Sequence, residues 1–276
     1  MIDLAFLSQS LTARFGLQVE VRTARTFEGK TISVSPSGIP PTKGFRIDYL
    51  LGWRRITASF IPGSFAQSLI LGIKSCSRDQ KALFELFAES LSGKGARITV
   101  RLDGTEYSAI ETNSWPTNWT SIEINMSILG LVEVEPDYTF ENIFPFVSSF
   151  LGLCLSLLPL DQNESDFEEG GESEGASFLS EIKRYERSRI NRAACIEIYG
   201  TDCSICGYNF GVTFGKEGEG LIHVHHILPV SLANGSYRFD PRKDLIPVCP
   251  NCHAMLHRKH PPYLPEELKQ LLRRHR

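Results

Sequence analysis

Two pairs of cysteines, Cys203-Ser204-Ile205-Cys206 and Cys249-Pro250-Asn251-Cys252, constrain this chain more than any other feature in it. Each CxxC knuckle offers two thiolates to one cation, and two knuckles complete the four sulfur ligands, about 2.3 Å from the ion, of a closed tetrahedral Zn²⁺ site. Such a site has no position left for a substrate. Its task is structural: it staples the intervening residues 207–248 into a unit too small to draw enough stability from core burial alone. Four reduced core cysteines would not account for polar and glycine neighbours such as Gly207. A disulfide framework is argued against by the odd count of 7 cysteines, the length of 276 residues and the first residues, Met1-Ile2-Asp3-Leu4, which lack the basic and apolar regions of a secretory signal. The expectation is a reducing cytoplasm, with Cys76, Cys154 and Cys195 as packing residues.

A second set of ligands is interleaved with the first. Of the chain's 7 histidines, all but one fall between His223 and His260. His223-Val224-His225-His226-Ile227 reads as a strand, and Cys252 to His257 as the start of a helix. Residues four apart on a helix share a face, so His253 and His257 can present two imidazoles to one metal, with a strand histidine as the third. Three ligands with open positions describe a catalytic metal rather than a structural one.

These residues resemble a known family. His225-His226, then Asp244-Leu245-Ile246-Pro247-Val248-Cys249, then Cys252-His253 and His257 are similar to the HNH (ββα-metal) nucleases of the zinc-stapled branch, from about Phe178 to Lys259. The run from Phe214-Gly215 onward most resembles HNH domains of modification-dependent (type IV) and other bacterial restriction endonucleases. The resemblance implies that His225 is a metal ligand and that His226 is the general base taking a proton from water. It implies His253 as a second ligand, His257 as a third ligand or phosphate contact, and hydrolysis of DNA leaving 5′-phosphate and 3′-hydroxyl ends. The family's asparagine, which braces the loop holding the base, corresponds here to Asp244. An aspartate accepts the same backbone hydrogen bonds but cannot donate, and it brings negative charge near the metal.

The rest of the chain is organised around this module. With 42% hydrophobic and 22% charged residues the composition is ordinary for globular protein, and the length suits about two domains. Residues 1–101 carry 14 Lys/Arg against 7 Asp/Glu, residues 102–177 none against 15, and residues 178–276 carry 15 against 10. The acids peak in Asp161 to Ser177, with seven acids and no base, which reads as a flexible linker. Residues 1–160 then form one domain and residues 178–276 the HNH domain, an α+β protein overall. Strands are expected at Gln18 to Arg22, Lys30 to Val34, Arg54 to Phe60, Ala96 to Leu102 and Ser121 to Met126. A helix is expected over Asp79 to Leu91, capped by Asp79, and another over Phe178 to Tyr199 bearing Arg184, Arg187, Arg189 and Arg192. Ile143 to Leu160 has no charge but contains two prolines and no basic flanks, so it reads as a buried helix closing the first domain rather than a membrane span.

An HNH module contacts mainly phosphates, which give affinity without sequence information. Arg184, Arg187, Arg258 and Lys259 are the candidate DNA contacts of the nuclease half. Specificity falls to residues 1–160 as a DNA-recognition or sensor domain. There Phe45, Tyr49, Trp53 and Phe60 lie among basic residues and Trp115 and Trp119 flank a turn. Each is core packing unless exposed, in which case it could stack on a base. The expected protein is a bacterial restriction or defence endonuclease with structural Zn²⁺ and one catalytic divalent cation, Mg²⁺, Mn²⁺, Co²⁺, Ni²⁺ or Zn²⁺. Its partner is double-stranded DNA, with 5-methylcytosine or 5-hydroxymethylcytosine as the candidate mark, and two copies would cut both strands. Two alternatives stay open: a defence nuclease triggered by another signal, and a non-catalytic zinc-stapled DNA-binding protein.

Overall fold

In the first forty residues of the structured chain, a helix ends at a glycine and two strands of equal length follow, which sets the pattern for the N-terminal half. The structure is a computed structural model and describes residues 2–27, 29–52, 54–129, 138–158, 189–227, 240–259 and 261–274. The chain divides into two compact units, Met1–Ile190 and Asn191–Arg276. The acidic segment 161–177, Trp53, Arg184 and Arg187 lie outside the described residues.

The first unit begins with α1 (Leu4–Phe15), in which the N–H groups of Ala5 and Phe6 donate to the Asp3 carboxylate and whose end is marked by Gly16. Strands β1 (Val19–Thr26), β2 (Gly29–Pro36), β3 (Phe45–Leu51) and β4 (Arg55–Pro62) then form a meander. Helices α2 (Gln67–Lys74) and α3 (Arg78–Gly93) precede β5 (Ala96–Leu102), β6 (Thr105–Tyr107) and β7 (Ile122–Leu129), and α4 (Phe140–Ser156) follows. The seven strands are all antiparallel in the order β1-β2-β3-β4-β7-β5-β6, so β7 inserts between β4 and β5.

Period-two alternation decides the faces. Phe45, Ile47, Tyr49 and Leu51 of β3, Ile56, Ala58 and Phe60 of β4, and Ile122, Ile124, Met126 and Ile128 of β7 are buried, whereas Arg46, Asp48, Ser59 and Asn125 point the other way. Helix α4 packs against α1 and α3. The Tyr49 hydroxyl donates to the Val147 carbonyl at 2.9 Å, which satisfies its one polar atom at the core, and burial holds its pKa well above the ordinary value.

One expectation is corrected here, the cap of α3, while the core-packing reading of the aromatics and the buried-helix reading of the apolar run agree with the structure. Phe45, Tyr49, Phe60, Trp115 and Trp119 are all buried, so none is available to stack on a base. The cap of α3 is Ser77 rather than Asp79. Its hydroxyl accepts from Gln80 N and the Gln80 side chain accepts from Ser77 N, a reciprocal box that leaves Asp79 in the first turn, where only the helix dipole favours it. Strand β3 and helices α1 and α2 were not anticipated. The apolar run at residues 143–160 is a buried helix over its described part, α4, and no helix among the described residues is long and apolar enough to cross a membrane.

The second unit contains helix α5 (189–199), continuing from the first, then α6 (Phe210–Phe214), β8 (His223–His226), α7 (Pro241–Asp244), β9 (Leu245–Val248), α8 (Pro250–Leu256) and α9 (Pro265–Arg274). Strands β8 and β9 pair antiparallel, α8 packs back on β8, and α9 packs on α8. Among the described residues, one buried cluster gathers Cys203, Ile222, Val248, Cys249, Cys252, Leu256 and Leu268, and Ala193, Ala194, Cys195 and Leu245 are buried as well. Three of the seven in that cluster are knuckle cysteines and three of the other four are small, so apolar burial alone is a thin basis for the fold.

Candidate metal centres

The first knuckle is a tight turn. Gly207, at φ +75, lets the chain reverse so that its N–H reaches the Cys203 carbonyl at 2.8 Å, while Cys203 N–H donates to the Tyr208 carbonyl at 3.0 Å. Ser204 N–H donates to the Pro247 carbonyl at 2.9 Å, which holds this turn against the end of β9, two residues before the second knuckle. Cys249 itself caps α8, its Sγ accepting from Cys252 N at 3.4 Å, and Pro250 fills the first helical position. The result places ligand atoms of Cys203, Cys206, Cys249 and Cys252 within 4.8 Å of one another, with Cys206 Sγ and Cys249 Sγ 3.7 Å apart. Tetrahedral Zn–S arms of about 2.3 Å require a sulfur–sulfur edge of about 3.8 Å, so the donor set fits Zn²⁺.

The electrostatics agree with that fit. Burial pushes the Cys203 thiol up, but backbone N–H donors of Cys206, Cys249 and Ile205 outweigh it and bring the thiol down to about 7. Burial raises Cys206 and raises Cys252 strongly, the latter also through the neighbouring Cys249 and Cys203. The Cys203 thiolate forms readily, whereas Cys206 and Cys252 need a cation in place of their protons, so metal uptake releases protons.

The second centre is built on β8 and α8. In β8, His223 and His225 share one face and His226 takes the other, with His225 opposite Ile246 and His226 opposite Leu245 across the pair. Helix α8 begins two residues before Cys252, which puts His253 inside it and makes His257 its C-terminal cap, one turn on. Ring centroids of His225, His253 and His257 are 5.4, 5.1 and 5.0 Å apart pairwise, and one nitrogen from each lies within 4.8 Å of the others. His225 is buried, His253 half-buried and His257 exposed, an arrangement that leaves one side of the triad open. His223 Nδ1 sits 3.1 Å from His253 Nδ1, a hydrogen-bond distance that fixes the ring orientation of His253 whichever nitrogen carries the proton.

Burial pushes the His225 imidazole down to about 4, with His253, His257 and His226 adding to the effect, and burial likewise lowers His253. Neutral imidazole is the ligating form, so the site is set for a cation at physiological pH. His225 in the folded chain binds fewer protons than in the unfolded chain between pH 4 and the ordinary histidine value of about 6.5. Stability is therefore full above about 6.5 and is lost as pH falls towards 4. In zinc-loaded protein without a second cation, melting temperature is expected to fall through that window. A His225→Gln variant that fell just as steeply would show the cause to lie elsewhere.

Asp244 holds the approach to His226. It is buried, its Oδ2 accepts from Asp240 N at 2.6 Å, and its carbonyl accepts from Ile227 N at 2.8 Å. One residue thus clasps the chain on both sides of segment 228–239, directly after His226. Tyr199 donates its hydroxyl to the Arg242 carbonyl, and Arg192 Nη2 donates to the carbonyls of Gly220 at 2.7 Å and Ile222 at 3.2 Å, so α5 braces both the entry to β8 and α7. That use of Arg192 is invisible in the sequence, where it reads as one more surface arginine. Arg258 and Lys259 are exposed just beyond α8, with Lys259 Nζ 5.1 Å from the Tyr263 ring centroid.

Residues 203–259 match the family model of HNH endonucleases. No curated protein and no solved structure is similar enough to the chain to register as a match. The matched span opens on the first knuckle cysteine and closes just past α8, so it takes in both CxxC pairs and the β8–β9–α8 frame. On these grounds residues 203–259 form an HNH domain, and its four-cysteine cluster is consistent with the zinc-binding branch of that family.

Proposed function

We propose that the chain is a metal-dependent DNA endonuclease in which His226 is the general base and His225, His253 and His257 hold the catalytic cation. The observation that carries this reading is the convergence of those three imidazoles beside His226, in a frame stapled by four cysteines. His226 accepts a proton from water as the water oxygen bonds to phosphorus, the P–O3′ bond breaks to leave a 5′-phosphate, the departing 3′ oxygen takes a proton from solvent to become the 3′-hydroxyl, and His226 then returns its proton to solvent. A divalent cation held by the triad would neutralise charge on the phosphate and the departing oxygen. Three imidazoles favour borderline ions such as Mn²⁺, Co²⁺, Ni²⁺ or Zn²⁺ over Mg²⁺, which prefers oxygen. Asp244 acts through position, keeping the strand end that carries His226 in register.

In this reading residues 178–276 are the nuclease domain, residues 161–177 a spacer, and residues 1–160 the DNA-recognition domain. The basic part of the last is residues 1–101, with 14 Lys/Arg against 7 Asp/Glu, whereas residues 102–160 carry no base against 8 acids, so the support is a local concentration of cations rather than a net charge. The biological role proposed is bacterial restriction of DNA carrying modified cytosine, with two copies of the chain cutting both strands.

The test is cleavage of matched plasmids, unmodified or carrying 5-methylcytosine or 5-hydroxymethylcytosine, in Mg²⁺ and in Mn²⁺. Cutting confined to a modified plasmid is the expected result. Equal cutting of all plasmids would remove the restriction role and keep the nuclease, and no cutting by zinc-loaded protein in either ion would favour a DNA-binding module without catalysis.

A further inference from the structure

The buried aromatics of the first unit leave its DNA contacts to be found elsewhere, and one place on its surface combines an aromatic ring with clustered positive charge. Strands β1 and β2 pair without interruption from Val19↔Pro36 to Thr26↔Gly29, and Phe27 follows directly on β1, with Glu28 next in the sequence. Phe27 is fully exposed, at 107% of its reference area. A phenylalanine held out on a ribbon tip gains nothing from the protein's own core.

The tip is neither isolated nor uncharged. Arg25 and Lys30 face each other across the last rungs of the ribbon, and Lys30 in turn pairs with Leu51 at the end of β3. The neighbouring β3–β4 turn adds Arg54 and Arg55, both exposed. Gly29 makes the two tips adjacent: a Cβ there would lie 2.4 Å from the Leu51 carbonyl oxygen, and its φ of +148 is one that side chains rarely adopt. The β3–β4 turn is itself held by Gly52 N–H donating to the Arg55 carbonyl at 3.0 Å and by the Tyr138 hydroxyl donating to the Gly52 carbonyl. The exposed ring therefore adjoins a braced edge whose neighbouring positions carry Arg25, Lys30, Arg54 and Arg55, four cations against the single acid Glu28.

We infer that the β1–β2 tip is a DNA-engaging wedge, in which Phe27 stacks on an unstacked base or enters a base step while Arg25, Lys30, Arg54 and Arg55 contact the phosphates around it. Charge complementarity to a polyanion selects the occupant, and an apolar ring flanked by cations is the composition that opens a base stack while holding the backbone. The inference rests on the reading of the chain as a protein that acts on DNA. It assigns the first unit a contact element that the buried tryptophans, Phe45, Tyr49 and Phe60 do not provide.

The experiment uses the full zinc-loaded chain without a second cation. It measures anisotropy of a short fluorescent duplex across a salt series and the fluorescence of 2-aminopurine placed in the duplex. Phe27→Ala is expected to weaken binding about 5- to 100-fold, the range of one base–aromatic stack, with an unchanged salt slope and no 2-aminopurine rise. Phe27→Trp is expected to keep both signals. Arg25→Ala with Lys30→Ala is expected to flatten the salt slope by about 2, one unit per lost phosphate contact. The side chain of Phe27 is fully exposed, so truncating it removes no packing.

Phe27→Ala binding like wild type at every salt concentration would overturn the inference, as would a loss of self-association in place of DNA affinity, which would make the tip a contact between copies. Failure of the nuclease reading is separate. Wild type that cuts no plasmid but loses DNA affinity on Phe27→Ala refutes the catalyst and leaves the wedge, whereas a cutting wild type with an indifferent Phe27 does the reverse.

Discussion

Cys249→Ser is expected to unfold residues 191–276 at ordinary temperature while the seven-stranded sheet stays folded. The reason is the makeup of the cluster around the knuckles, where Cys203, Cys249 and Cys252 are three of the seven buried members among the described residues. Small zinc modules draw about 10 to 16 kcal/mol of apparent binding free energy from the metal near pH 7, comparable to or larger than the whole stability of a domain this size. Serine replaces the buried thiolate with a poor ligand and leaves three sulfurs facing one another without a cation. Limited proteolysis and hydrogen exchange would read the two units separately: cleavage and exchange confined to the C-terminal unit is expected, in the variant and in chelator-treated wild type alike. A C-terminal unit that kept full protection after complete zinc removal would show that Leu256, Val248 and Leu268 suffice, and the structural role of the cluster would fall.

His226→Ala should lower the cleavage rate by about two to four orders of magnitude, the range for losing a positioned general base, with zinc content and melting temperature unchanged. The contrast with its neighbour sharpens the argument. His225 is buried and directed into the triad, so His225→Ala should remove both the second cation and the activity, whereas His226 is half-buried and lies on the opposite strand face. Metal binding by isothermal titration separates the two: the second cation retained in His226→Ala and lost in His225→Ala is expected. A His226→Ala protein that cuts at the wild-type rate would assign the proton transfer to another group.

Chain reading reached the two donor sets because each depends on local spacing. A CxxC turn, a strand parity and an i to i+4 helix pair are short-range geometries, and the four cysteines and three histidines do come together. What escaped depends on long-range pairing or on a single residue. The insertion of β7 between β4 and β5 joins segments far apart in sequence and leaves no periodic trace. Strand β3 does alternate at Phe45, Ile47, Tyr49 and Leu51, but aromatics set among basic residues fit surface contacts as well as a buried strand face, so its parity alone does not decide. Helix α1 carried its own boundary marks in Asp3 and Gly16. Phe27, between a threonine-rich strand and a glycine, breaks no pattern and acquires meaning only through its exposure. Arg192 could not be told from its neighbours until its carbonyl partners were in place.

The clasp made by Asp244 has a consequence for how such a chain can change over time. Because Ile227 and Asp240 are both anchored to one buried residue, the geometry of His226 is decided before the intervening residues contribute anything. Changing Asp244 would therefore remove one of these anchors outright and loosen the other, so the placement of the base is concentrated in a single position of the chain.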